Sequence, residues 1–206
     1  MNAWLIRITP DLRNRTASRD LRDVIAIHRR VMALVPDNLG PDPRKRAGVL
    51  FRIDQTPTGP VLLVQTAVEP DPSRLPERYG TIDTRDIGPL LKAIRPGMRV
   101  QYRIAANASK RAVTGPNAGK VVPLAGAAVD SWWAKRATEH GLGLEQAHID
   151  PQPAMLGKSQ PVRHAVTRFD GTAVVHDADL LRTAILTGIG RGKSFGCGLL
   201  SLAPIR

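Results

Sequence analysis

Asp179-Leu180-Leu181-Arg182-Thr183-Ala184-Ile185-Leu186, then Gly188-Ile189-Gly190-Arg191-Gly192-Lys193-Ser194-Phe195-Gly196-Cys197-Gly198, then Leu199-Leu200-Ser201-Leu202-Ala203-Pro204-Ile205-Arg206 read as a helix, a glycine-rich loop and one short strand. The loop carries five glycines, whose missing Cβ lets backbone N–H groups approach a phosphate, beside Arg191, Lys193 and Ser194. A Walker A loop needs a glycine five positions before Gly192, where Thr187 stands. The dinucleotide pattern G-x-G-x-x-G needs its third glycine at Lys193 or Phe195. Both nucleotide motifs therefore fail, and too little chain follows the loop for a mononucleotide fold. A plain glycine-rich turn between helix and strand remains open.

Working backward, Val162 to Phe169 and Thr172 to Val175 flank Asp170-Gly171, a dipeptide suited to a type I′ hairpin turn. A helix is expected from about Gly126 to His140 and a strand over Met98–Ile104. This order is β-α-β-β-α-β, the ferredoxin-like arrangement. The first half repeats it. Trp4–Ile8 reads as a strand, and Arg19 to Val35 as a helix opened by Ser18 and stopped by Pro36. Val49–Ile53 and Val61–Thr66 flank the turn Thr56-Pro57-Thr58-Gly59. Glu69 to Pro76 reads as loop, Pro89 to Ile94 as a short helix, and Arg95-Pro96-Gly97 marks the join. The expected fold is α+β, two tandem ferredoxin-like (RRM-like) βαββαβ domains over residues 1–94 and 95–206.

Charge narrows the partner. With 30 Lys+Arg against 18 Asp+Glu the net charge is +12, which favours a polyanion such as nucleic acid. No apolar run reaches the ~20 residues of a membrane span, and Met1-Asn2-Ala3-Trp4 opens no signal-peptide pattern, so a cytoplasmic protein is expected. The one cysteine, Cys197, excludes an internal disulfide framework. The five histidines show no zinc spacing, so metal-free chemistry without a nucleotide cofactor is expected. Aromatic residues make up only 4%, which favours a grip on duplex over stacking of single strands.

The terminal run Gly188-Ile189-Gly190 through Lys193-Ser194 and Gly196–Pro204 resembles the C-terminal signature of the Cas6e family (CasE or Cse3), the repeat-processing endoribonucleases of type I-E CRISPR systems. Val61–Thr66 with Glu69-Pro70-Asp71, Ala106-Asn107 followed by Lys110-Arg111, and Trp133 extend the likeness over almost the whole chain. The resemblance implies a metal-independent cut at the base of the repeat stem-loop of CRISPR RNA. It also implies 2′,3′-cyclic phosphate and 5′-OH products and retention of the mature RNA among Cascade subunits. It places the catalytic histidine on the first helix, where His28 is the sole candidate. On periodicity alone, His28 shares the apolar face of Leu21, Val24, Ile25, Met32 and Val35, and a core role is the competing reading. His140, His148, His164 and His176 carry no accompanying motif.

Arg29, Arg30 and Lys193 are candidates to stabilise phosphorane charge. Lys110, Arg111 and Lys120, around the turn Gly115–Gly119, form a basic hairpin for RNA, with Gly190, Arg191, Gly192, Lys193 and Ser194 as further RNA-binding candidates. Arg44-Lys45-Arg46 is a second basic cluster, ambiguous between RNA contact and solvated loop. Two departures from the family pattern stand out. Ile25 occupies the position where relatives often place a tyrosine, and Ala105 a position where they tend to place arginine. The alternatives are a weak or inactive RNA-binding subunit of the same fold, and a magnesium-dependent nucleotide enzyme using the glycine loop.

Overall fold

The computed structural model describes residues 2–157 and 162–205. In the first half, β1 (Trp4–Pro10), β2 (Leu50–Thr56), β3 (Gly59–Thr66) and β4 (Gly80–Asp86) form an antiparallel sheet ordered β2-β3-β1-β4. That is the ferredoxin-like order, with the first strand between the third and the fourth. α1 (Arg15–Asp20) and α2 (Val24–Met32) fill the first crossover. The second crossover is reduced to a 3-10 turn over Pro72–Arg74. α3 (Pro43–Arg46) precedes β2, and α4 (Gly88–Ala93) follows β4.

The single helix expected over Arg19 to Val35 is two helices, and the reason is local. Asn14 caps α1, its side chain accepting from the Thr16 and Ala17 N–H groups, whereas the hydroxyl of Ser18 donates to the Leu12 carbonyl. Asp23 takes an extended φ of −141° and accepts from the Ile25 N–H, starting α2 afresh. Val24, Ile27 and Val31 are the buried stripe of α2, packed on Ile6, Ile8, Phe51, Leu62 and Val64 of the sheet. Each such aliphatic side chain contributes about 1.5–3 kcal/mol when fully buried.

In the second half, β5 (Arg99–Ala106), β8 (Leu142–Gly157), β9 (Val162–Val175) and β10 (Leu200–Pro204) are ordered β10-β5-β9-β8, again the ferredoxin-like order. α5 (Ala127–Glu139) and α6 (Ala178–Thr187) are its crossovers, and Trp133, Phe169, Tyr102, Leu181 and Ile185 anchor its core. β6 (Ser109–Arg111) and β7 (Val121–Pro123) form a separate hairpin inserted after β5.

Asp170-Gly171 is not a turn: β9 runs straight through it and pairs along its length with β8. A Cβ on Gly171 would stand 2.0 Å from the Gln146 carbonyl oxygen and 2.8 Å from the Tyr102 hydroxyl. Here glycine permits close approach beside the register shift between Leu144 and Gln146. Pro151 and Pro153 hide β8 in the sequence, and both sit where the sheet tolerates them, on an edge strand.

The halves are joined by buried polar groups. Arg52 grips Asp54 through two bonds (2.8 and 2.9 Å) while its third nitrogen donates to the carbonyls of Arg103 and Leu199, each at 3.0 Å. Gln65 donates to the Ile185 carbonyl at 2.7 Å.

Candidate functional site

His28 lies on α2, one residue past the buried Ile27, so its ring sits at the margin of the apolar stripe rather than inside it. The imidazole leans toward Phe51 of β2, with ring centroids 6.4 Å apart, and is half-buried. It lines a cleft of about 720 Å³ with Arg29, Met32, Arg44, Lys45 and Ser194 among its walls. Nδ1 is shut off from solvent and has no hydrogen-bond partner, so proton exchange with a ligand falls to Nε2. An imidazolium would place a charge on a ring that is half-buried and faces Arg44. Desolvation accordingly pushes the His28 pKa below its ordinary 6.5, and the charge of Arg44 lowers it further.

The glycine-rich loop reaches this cleft from the second half. Its 3-10 turn, Lys193–Phe195, packs against α2 and β2 and brings Ser194 to the wall. The loop is tightly built. Ile189 N–H donates to the Gly198 carbonyl, Phe195 and Cys197 donate to Gly192, and Gly198 donates to Ala105. Two glycines have packing reasons: a Cβ at Gly188 would meet Leu50 at 2.8 Å, and one at Gly198 the Ile189 carbonyl at 2.8 Å, both at positive φ. Much of the glycine signal thus encodes close packing of the loop. Lys193 donates to the Thr187 carbonyl at 2.8 Å, and burial followed by the Arg44 charge lowers its pKa. Cys197 is fully buried beside the loop, its thiol pushed up to about 12 by desolvation.

The remaining candidates fall into four groups. Arg29 is exposed and lines the His28 cleft. Arg30 is turned elsewhere: it pairs with the buried Asp20 at 2.8 Å and lies 5.2 Å over the Tyr79 ring, a packing role. Lys110, Arg111 and Lys120 are exposed on the β6–β7 hairpin, whose loop is closed by Ala112 N–H donating to the Lys120 carbonyl. At the foot of that hairpin a larger groove of about 1110 Å³ runs between Asn107, Ser109, the start of α5 and Arg191. Arg191 bridges Asn107 through the backbone, and Gly190 and Gly192 flank it at positive φ.

Arg44 and Lys45 are the functional candidates left unresolved by sequence; only their charge run marked them. His140, His148 and His176 do not line the His28 cleft, and the side chain of His164 lies outside the described residues. Among the described residues no three His, Cys, Asp or Glu side chains cluster, and no helix is long and apolar enough to cross a membrane. A half-buried neutral imidazole ringed by cations can hold an anion and accept a proton from a group on it.

A family model described as CRISPR associated protein matches residues 3–204. CRISPR-associated endoribonuclease Cse3 of Thermus thermophilus is 31% identical over 220 residues, covering 98% of this chain and 100% of the relative. The CRISPR system Cascade subunit CasE of Escherichia coli (strain K12) is 29% identical over 198 residues, 89% of this chain and 94% of the relative. The solved structure of Thermus thermophilus Cse3 bound to an RNA representing a pre-cleavage complex aligns with a TM-score of 0.88 at 29% identity, over 99% of this chain and 100% of that one.

Proposed function

Because this chain belongs to the Cas6e family of CRISPR-associated proteins, also called CasE or Cse3, we propose that it is an endoribonuclease that cuts CRISPR precursor RNA at the base of the repeat stem-loop and retains the product among Cascade subunits. The observation that carries this reading is His28, half-buried on α2 and opening into a cleft that the glycine loop of the second half completes.

RNA supplies its own nucleophile. The ribose 2′-OH attacks the adjacent phosphorus in line, the bond to the 5′-oxygen breaks, and a 2′,3′-cyclic phosphate and a 5′-OH result. No water and no metal enter this balance. His28, held neutral near pH 7 by its burial, takes the 2′-OH proton at Nε2, while the departing 5′-oxygen takes up a proton from the medium, to which His28 then returns its own. Such acid–base help is worth about 10²–10⁴-fold. The desolvation penalty on the imidazolium is offset as negative charge grows on the phosphorane beside it. To stabilise that charge we assign Arg29, on the cleft wall, and Lys193, in the turn next to Ser194, and to Ser194 a hydrogen bond to a phosphate oxygen. The stem itself is gripped by Lys110, Arg111, Lys120 and Arg191. A-form RNA has a major groove too deep and narrow for side-chain readout, so recognition rests on shape and phosphates.

A repeat RNA with 2′-deoxy sugar at the nucleotide 5′ of the cut tests the reaction directly. Binding is expected to persist with cleavage abolished; cleavage of the deoxy substrate would mean an external nucleophile and overturn this mechanism.

A further inference from the structure

The charge run Arg44-Lys45-Arg46 is divided by the fold. α3 directs Arg44 and Lys45 to the His28 cleft, whereas the Arg46 guanidinium lies beside Gly40. Arg44 is fixed at both ends: its carbonyl accepts from the Val49 N–H at 2.9 Å, and one guanidinium nitrogen donates to the Val49 carbonyl at 3.2 Å. Among the described residues no carboxylate pairs with the rest of its fork. Every other buried or half-buried arginine among the described residues holds one, as Arg30 holds Asp20, Arg52 holds Asp54 and Arg168 holds Asp150. Of the two carboxylates at the cleft, Asp37 pairs with Arg74, and Asp42 is an exposed residue ahead of α3. A half-buried guanidinium is a costly group to leave uncompensated, so this one is poised for an anion. It shares a cleft wall with His28 of α2 and Ser194 of the glycine loop, and its charge lowers the pKa of both His28 and Lys193.

We propose that Arg44, with Lys45 at the rim, forms an anion subsite on the first half of the molecule that takes an RNA phosphodiester beside His28 and opposite Ser194. The subsite rests on the reading of this cleft as the RNA-cleaving site and extends it. The planar fork suits two non-bridging phosphate oxygens, which a lysine would meet only as a point charge. The subsite also links binding to chemistry. Before RNA arrives, Arg44 helps keep His28 unprotonated; a bound phosphate offsets that charge and makes the imidazole a stronger base as the substrate settles.

Inorganic sulfate serves as a probe that needs no cleavage. In the intact protein with ¹⁵N-labelled histidine and arginine, sulfate is expected to shift the Arg44 Nε–H resonance and raise the His28 midpoint. In Arg44→Gln the His28 midpoint should already be higher, and its response to sulfate should be lost; Arg44→Lys should retain part of it. An unmoved Arg44 resonance in the wild type, which is informative even if the variants fail to fold, would overturn the subsite. So would equal sulfate responses in wild type and Arg44→Gln. With repeat RNA, single-turnover cleavage by Arg44→Gln should fall about 10²-fold or more, as for loss of one preorganised transition-state donor. If the wild type does not cut RNA while sulfate still shifts Arg44, the ribonuclease reading fails and the anion subsite stands.

Discussion

At the scale of single residues, His28 shows how a sequence pattern and a site diverge. Heptad spacing from Leu21 puts His28 on an apolar face, yet the structure buries Val24, Ile27 and Val31 and leaves the imidazole at their edge. One residue of helical rotation separates a core histidine from a reactive one, and periodicity does not resolve it. The ring's environment gives a pH prediction. Its folded pKa lies below 6.5, so the neutral, proton-accepting form prevails at pH 7 and is lost as pH falls through that depressed value. Cleavage at enzyme concentrations well below saturation, which reports the free protein, should therefore rise with pH to a midpoint below 6.5 and then level off. A rate that falls over the same interval would assign His28 as the proton donor instead.

Among the elements, the β6–β7 hairpin was legible from Lys110-Arg111 and the Gly115–Gly119 turn because its signals are local. None of its residues lines the cleft shared by His28 and Ser194, so binding and chemistry should separate. Lys110→Gln with Lys120→Gln should weaken repeat-RNA binding and lower the log–log salt slope by up to about 0.9 per lost phosphate contact, by analogy with B-DNA. Cleavage within the saturated complex should be unchanged, and a large fall in that rate would tie the hairpin to the chemistry. Elements set by tertiary context were not legible. Gly171 reads as a turn residue but allows the Gln146 backbone and the Tyr102 hydroxyl to come close. β4 is mostly exposed on a sheet edge and so carries little apolar alternation. The basic run of α3 was visible as charge, but which of its members face His28 depends on a four-residue helix that sequence spacing does not specify.

For the whole molecule, the repeated order of elements made two ferredoxin-like sheets readable, while the way they meet was not. Arg52 and Asp54 alternate on one face of β2 like any exposed ion pair, yet both are buried and tie β2 to Arg103 and Leu199 of the other half. The tie matters for function because Phe51, under His28, precedes Arg52, and Leu199 follows the glycine loop. Arg52→Met should cost about 3–5 kcal/mol in urea unfolding, since it leaves the buried Asp54 carboxylate with only the more distant Arg103 at 3.9 Å, and adding Asp54→Leu should restore much of the loss. A single variant as stable as the wild type would show that the tie contributes nothing. The joined halves place a first-half histidine in a second-half loop's reach, and that assembled site is the centre of the account. Its most direct test is cleavage of the cognate repeat RNA in excess EDTA by wild type and His28→Ala, with RNA affinity measured for both. Metal-free cleavage that the variant loses by at least about 10²-fold while binding persists is the predicted result. Equal cleavage by both proteins, or tight binding without cleavage by either, would contradict it.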